Sequence, residues 1–93
     1  MPDVYLVATM DTKGHELQFV ADRMRCAGVS VKTVDVGTLS EPQVKPDIDR
    51  HQVSAGQWIA GAQKDRGQAV DLMSGWLTEF LRDQLAKEMS QAF

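Results

Sequence analysis

Two short stretches of this 93-residue chain carry residues that could do chemistry together. The first is Thr9-Met10-Asp11-Thr12-Lys13-Gly14, set between an apolar run and an amphipathic pattern. The second is Asp35-Val36-Gly37-Thr38, which follows a valine-rich stretch. Lys13 offers a point charge to a phosphate, Thr9 and Thr12 offer hydroxyls, and Gly14 lets backbone approach closely. Where such a stretch leads into a helix, unpaired N–H groups and the positive end of the helix dipole favour an anion. Asp35 lies 24 residues beyond Asp11, close to where dinucleotide folds place the carboxylate that holds ribose hydroxyls. Neither G-x-G-x-x-G nor G-x-x-x-x-G-K-[ST] occurs, so neither stretch identifies a ligand alone. Taken singly, Asp11–Gly14 is a turn whose Asp or Thr caps a helix, and Asp35 is a strand-end carboxylate.

The elements that must position these residues are legible around them. Asp3 to Thr9 is nearly all apolar and rich in β-branched and aromatic residues, which suits a strand buried on both faces of a parallel sheet. After the turn Met10–Gly14, residues Leu17, Val20, Ala21, Met24 and Ala27 fall on one helical stripe, and Gly28 ends it. Val29 to Val36 reads as a second strand, giving a β-α-β unit with a right-handed crossover. Both chemical stretches then lie on the rim at the carboxyl ends of the strands, where open α/β sheets bind ligands.

Downstream, Gly37 to Asp49 contains Pro42 and Pro46 and no period, so it is a loop. Asp49 caps a short expected helix carrying Val53, Ala55, Trp58, Ile59 and Ala62. From Val70 to Met89 apolar residues recur at three- and four-residue spacing, with Asp71, Glu79, Arg82, Asp83, Lys87 and Glu88 between them, the pattern of an amphipathic helix. The fold class is therefore α/β: a Rossmann-like partial parallel sheet, a loop, and C-terminal amphipathic helices. Residues 1–93 form one small domain, with the site half in 1–39, the proline loop in 40–48 and the helical part in 49–93. Two parallel strands leave a sheet edge and much apolar helix surface uncovered. A homo-oligomer, joined through the Val70–Met89 stripe or a strand edge, is the expected remedy.

Composition narrows the function classes. Ten Lys and Arg against thirteen Asp and Glu give a net charge of −3, spread evenly along the chain. Without a basic face, nucleic-acid binding is not expected. The longest apolar run, Val4 to Ala8, is far short of the roughly 20 residues that cross a bilayer. No secretory leader pattern opens the chain, and Cys26 is the sole cysteine, so a cytoplasmic location is expected. His15 and His51 stand apart without further ligands, so no metal site is expected. Cys26 falls beside the buried stripe and reads as a small core residue. Asp47, Asp49 and Arg50 most simply end the loop and cap a helix. Trp76 and Phe80 read as core or oligomer contact, and Met10 as a neighbour of the ligand.

Val4 to Leu17, Val31 to Leu39, Pro46-Asp47-Ile48 and Asp65-Arg66-Gly67 together resemble the ATP-binding domain of the tomato mosaic virus resistance protein and its bacterial relatives, over roughly residues 3–70. That resemblance implies a two-part Rossmann-like fold with ATP and magnesium as ligand. It implies that Thr9, Asp11, Thr12 and Lys13 lie on the nucleotide, with Asp35, Gly37 and Thr38 bordering it. Members of that family continue into a further strand and a glycine-rich stretch, so this chain is expected to be truncated relative to them. The expected function is a nucleotide-binding module acting as a homo-oligomer. No catalytic residue is assigned, because no general base stands out beyond Asp11 and Asp35. The alternative is a structural or interaction fragment without ligand binding, and a third is an enzyme of a small phosphorylated or carboxylated metabolite.

Overall fold

The computed structural model describes residues 3–58 and 66–92. Its elements, in chain order, are strand β1 (Val4–Ala8), helix α1 (Met10–Cys26), strand β2 (Val31–Asp35), helix α2 (Arg50–Val53) and helix α3 (Arg66–Ala92). β1 and β2 pair in parallel, with Val4 opposite Val31 and Ala8 opposite Asp35, so the expected α/β class and β-α-β unit are present. α1 begins earlier than expected. Met10–Gly14 is not a turn but the first turn of the helix, because Thr9 at its N-cap already accepts the Thr12 and Lys13 N–H groups. Gly28, at φ +86, follows the helix end in the left-handed conformation that lacks a Cβ penalty.

The two faces of the sheet carry different cores. Alternation along β2 turns Asp35 toward α1, where it receives the Met10 N–H, and turns Val34 the other way. Val34, Ile48, Val53, Trp58, Ala69 and Met73 form the buried cluster on that second face. Tyr5, Val36, Trp76, Leu77 and Phe80 pack against it, so α3 covers the face opposite α1. Each fully buried apolar side chain contributes about 1.5–3 kcal/mol. β1 is less buried than its apolar run suggests: Val4 and Val7 stay exposed, one on each face of the sheet. On α1, Val20 is exposed, and Cys26 is exposed as well, not a core residue. Val20 stands beside the fully buried Ala21 but is on the outward side of the helix, and Cys26 is its last residue.

The loop after β2 returns to the sheet. Ile48 forms an isolated parallel bridge with Val34, donating its N–H to Thr33 O and accepting that of Asp35. Asp47 fastens this return. Its carboxylate accepts the Thr33 N–H at 2.8 Å and an Arg25 N–H at 2.7 Å. Burial alone would raise the pKa of Asp47, but the Thr33 N–H and the Arg25 charge outweigh it and hold the carboxyl below its usual value of 3.8. A depressed carboxylate adds stability above the unfolded value and loses it as pH falls through the folded one. Asp47→Asn should therefore cost about 1 kcal/mol at pH 7, a modest figure because the pair is part-exposed. That deficit should shrink below pH 4 in urea unfolding.

Asp49 caps α2 as expected, in a reciprocal capping box with Gln52. The helix is shorter than expected and ends at Val53, since Ala55 and Gly56 both have positive φ. Trp58 is buried, while Ile59 and Ala62 lie outside the described residues. α3 runs longer than its apolar repeat, and Val70, Leu72 and Leu85 on it are exposed. Among the described residues, no helix is long and apolar enough to cross a membrane.

Candidate functional site

The carboxyl ends of β1 and β2 bring the two chemical stretches onto one rim and sort their charges. Thr9, Thr12 and Lys13 face solvent, while Asp11, Asp35 and Gly37 are buried and Thr38 is half-buried. The Thr9 and Thr12 hydroxyls lie 3.2 Å apart, and Lys13 has no ion pair among the described residues. The positive end of α1 and the Lys13 ammonium thus share one exposed patch.

Beneath that patch lies a buried ionic node. Asp35 is 0% exposed. Its Oδ1 accepts the Met10 N–H at 3.1 Å and the Gly37 N–H at 2.8 Å, and its Oδ2 accepts Arg50 Nε–H at 2.9 Å. The carboxylate therefore caps α1 from inside, and its oxygens bind protein groups in this conformation. Asp11 faces the other way along the loop: its Oδ2 accepts the Leu39 and Ser40 N–H groups at 3.1 and 3.2 Å. Asp11 Oδ1 and Arg50 Nη2 are buried without hydrogen-bond partners. Both approach Gly37 so closely that a Cβ there would sit 2.8 Å from each.

Gly14 also serves close approach, though of a different partner. A Cβ on it would meet Gln43 Cβ at 3.1 Å and Val44 N at 3.4 Å, so the proline loop presses on α1 there. Gln43 completes that seam, donating its N–H to Met10 O and accepting the His15 N–H on Oε1. Arg50 and Gln43 were not legible as site residues. Arg50 follows a capping Asp and looked like part of a helix start, and no spacing ties Gln43 to α1.

Beyond the node, a cleft of about 700 Å³ opens between the loop 39–46 and Arg50, His51 and Trp58. That size suits a small molecule. Among the described residues, no group of three or more His, Cys, Asp or Glu could hold a metal ion.

The chain matches the model of the uncharacterised protein family UPF0261, N-terminal domain, over residues 2–92. A UPF0261 protein of Clostridium tetani is 34% identical over 74 residues, covering 75% of this chain and 18% of that protein. One of Mesorhizobium japonicum is 36% identical over 89 residues, covering 90% and 22%. One of Rhizobium meliloti is 38% identical over 92 residues, covering 92% and 23%. The chain thus spans about a fifth of the length of these relatives. No solved structure matches it. These matches correct the resemblance to the tomato mosaic virus resistance protein. The blocks Val4–Leu17 and Val31–Leu39 that suggested it fall within the UPF0261 match, and a strand leading into a helix is a local pattern many α/β folds share. By that match across nearly its whole length, the chain belongs to the UPF0261 family as its N-terminal domain.

Proposed function

We propose that this chain supplies one wall of a binding cleft for a phosphate-bearing small molecule, nucleotides being the first class to try. The observation that carries this reading is the charge sorting on the rim: Lys13 and two threonine hydroxyls face out at the N-terminus of α1, while both carboxylates are turned inward. An anion at the rim meets a cation, hydroxyl donors and a helix dipole, while Asp35 beneath it is paired with Arg50 and Asp11 Oδ2 is held by the Leu39 and Ser40 N–H groups. Magnesium would enter with the phosphates. The remaining wall comes from the rest of a longer protein or from a second copy. No residue here is assigned a bond-breaking role, so the reading is binding and not turnover.

Ligand that binds only the folded state raises its stability by mass action, about 2.7 kcal/mol at a hundredfold excess over Kd. Melting with Mg-ATP, ADP and inorganic phosphate should raise Tm for the first two, and Thr12→Ala should reduce the rise. An unchanged Tm with every phosphate compound would contradict the reading.

A second reading, an assembly module, is favoured by the exposed Val70, Leu72 and Leu85 on α3. A homo-oligomer dispersed by Leu85→Asp in light scattering supports it. Leu77 is unsuited to that test because it packs on the core.

A further inference from the structure

Arg50 is a buried cation with most of its donors unspent. A guanidinium carries a fork of N–H groups, and buried polar groups are ordinarily hydrogen-bonded. The Arg50 side chain is 9% exposed, yet among the described residues its hydrogen bond is the one from Nε–H to Asp35. Nη2 is enclosed beside Gly37 without a partner. Arg50 also lines the cleft along the loop 39–46, and Nη1 is the nitrogen left for whatever enters there. Thr9, Thr12 and Lys13 do not line that cleft, so it stands apart from the exposed patch of the proposed function.

Charge decides what those donors can take. An arginine lining a cleft commonly receives an anion, but the charge of Arg50 is already matched. Asp35 pairs with it at 2.9 Å and is 0% exposed, and Asp11 Oδ1 is buried beside the same Gly37. Two buried carboxylates thus stand against one guanidinium. Farther out in the lining, Glu41 and Asp49 offset Lys45 and His51 even when the histidine is protonated. An entering anion would lose its hydration and find no net positive charge in return. A neutral oxygen accepts the same hydrogen bond without that repulsion. The other walls are apolar, formed by Leu39, Pro42, Val44, Pro46 and the buried Trp58, and they suit an apolar body.

We infer that this cleft binds an uncharged ring compound bearing a carboxamide, its carbonyl oxygen accepting an Arg50 Nη1 N–H and its ring lying against Trp58, Pro42 and Pro46. The site is independent of phosphate binding at Lys13, and either can fail without the other.

Three probes of similar shape and different charge test this: benzamide, benzoate and benzylamine, each titrated into the isotope-labelled chain at neutral pH. The reporters are the NMR signals of the Arg50 Nε–H and the Trp58 indole N–H. Benzamide should shift both with a Kd in the millimolar range, at least tenfold tighter than either charged probe. Tighter benzoate would make the cleft an anion site and tighter benzylamine an acidic one, and either result overturns the inference. So do equal affinities for the three, or no shift at the two reporters. Arg50→Lys keeps a charge opposite Asp35 but lacks Nη1, and should weaken benzamide at least tenfold at the Trp58 signal. Unchanged affinity in a folded Arg50→Lys overturns the inference; if that variant does not fold, the three probes decide on the parent chain. Lys13→Ala should leave benzamide binding unchanged, and a tenfold loss there would put the probe on the rim and overturn the inference.

Discussion

Asp35→Ala is expected to cost about 3–5 kcal/mol, because it leaves the Arg50 charge buried without its partner and removes the acceptor of the Met10 and Gly37 N–H groups. Folded domains hold only about 5–15 kcal/mol in total, so the variant should be largely unfolded or melt far below the parent. Arg50→Ala should be comparably damaging, since it strands Asp35 at 0% exposure. Asp35→Ala combined with Arg50→Met should recover part of the loss, because two missing charges cost less than one unpaired charge. Urea unfolding of the four proteins measures this directly. A loss below about 1 kcal/mol for Asp35→Ala would mean that the node is solvated and not a buried anchor.

Gly37→Ala comes second. Its Cβ would lie 2.8 Å from Arg50 Nη2 and from Asp11 Oδ1, and 2.9 Å from Asp11 Cγ. Neither neighbour yields easily: Arg50 Nε is bonded to Asp35, and Asp11 Oδ2 is held by two backbone N–H groups. Overpacking of this kind costs about 1–3 kcal/mol. Because the same residues fasten the loop 37–40 to α1, local exchange at Leu39 and Ser40 should quicken by more than the global stability loss explains. Equal changes at those amides and at the core would indicate that Gly37 matters only for packing.

The strands, the crossover helix, the proline loop and the capped α2 were legible because each has a local cause. An apolar β-branched run, a helical stripe ended by Gly28, two prolines and a Ser-free Asp49 cap all act within a few residues of themselves. The rim was legible for the same reason, since strand order alone puts Asp11–Gly14 and Asp35–Thr38 at one end of a parallel sheet. What remained hidden was contact between distant segments. Nothing local to Asp35 says that Arg50 will meet it, or that Ile48 will return to β2 and close one edge. Nor does the apolar count of α1 reveal which of its apolar residues face the sheet: Ala21 is buried, whereas Val20 and Cys26 are exposed. The start of α1 was misplaced because Asp-Thr-Lys-Gly suits a turn as well as a first helical turn, and the choice rests on Thr9 O accepting two N–H groups.

Placement of Asp35 also changes how the rim is understood. A carboxylate that caps α1 from within leaves the outer side of the first turn, with Lys13 and the hydroxyls, exposed, and that is the face the proposed function uses. Phosphate binding should accordingly depend on Lys13 and Thr12, while Asp35 acts on it only through folding. The most direct test is calorimetric titration of Mg-ATP into the chain and into Lys13→Ala, with urea stability measured for both. Binding with Kd below about 1 mM, weakened at least tenfold by Lys13→Ala at unchanged stability, is the predicted result. Equal heats for the two proteins, or no heat with either, would contradict a phosphate site on this rim.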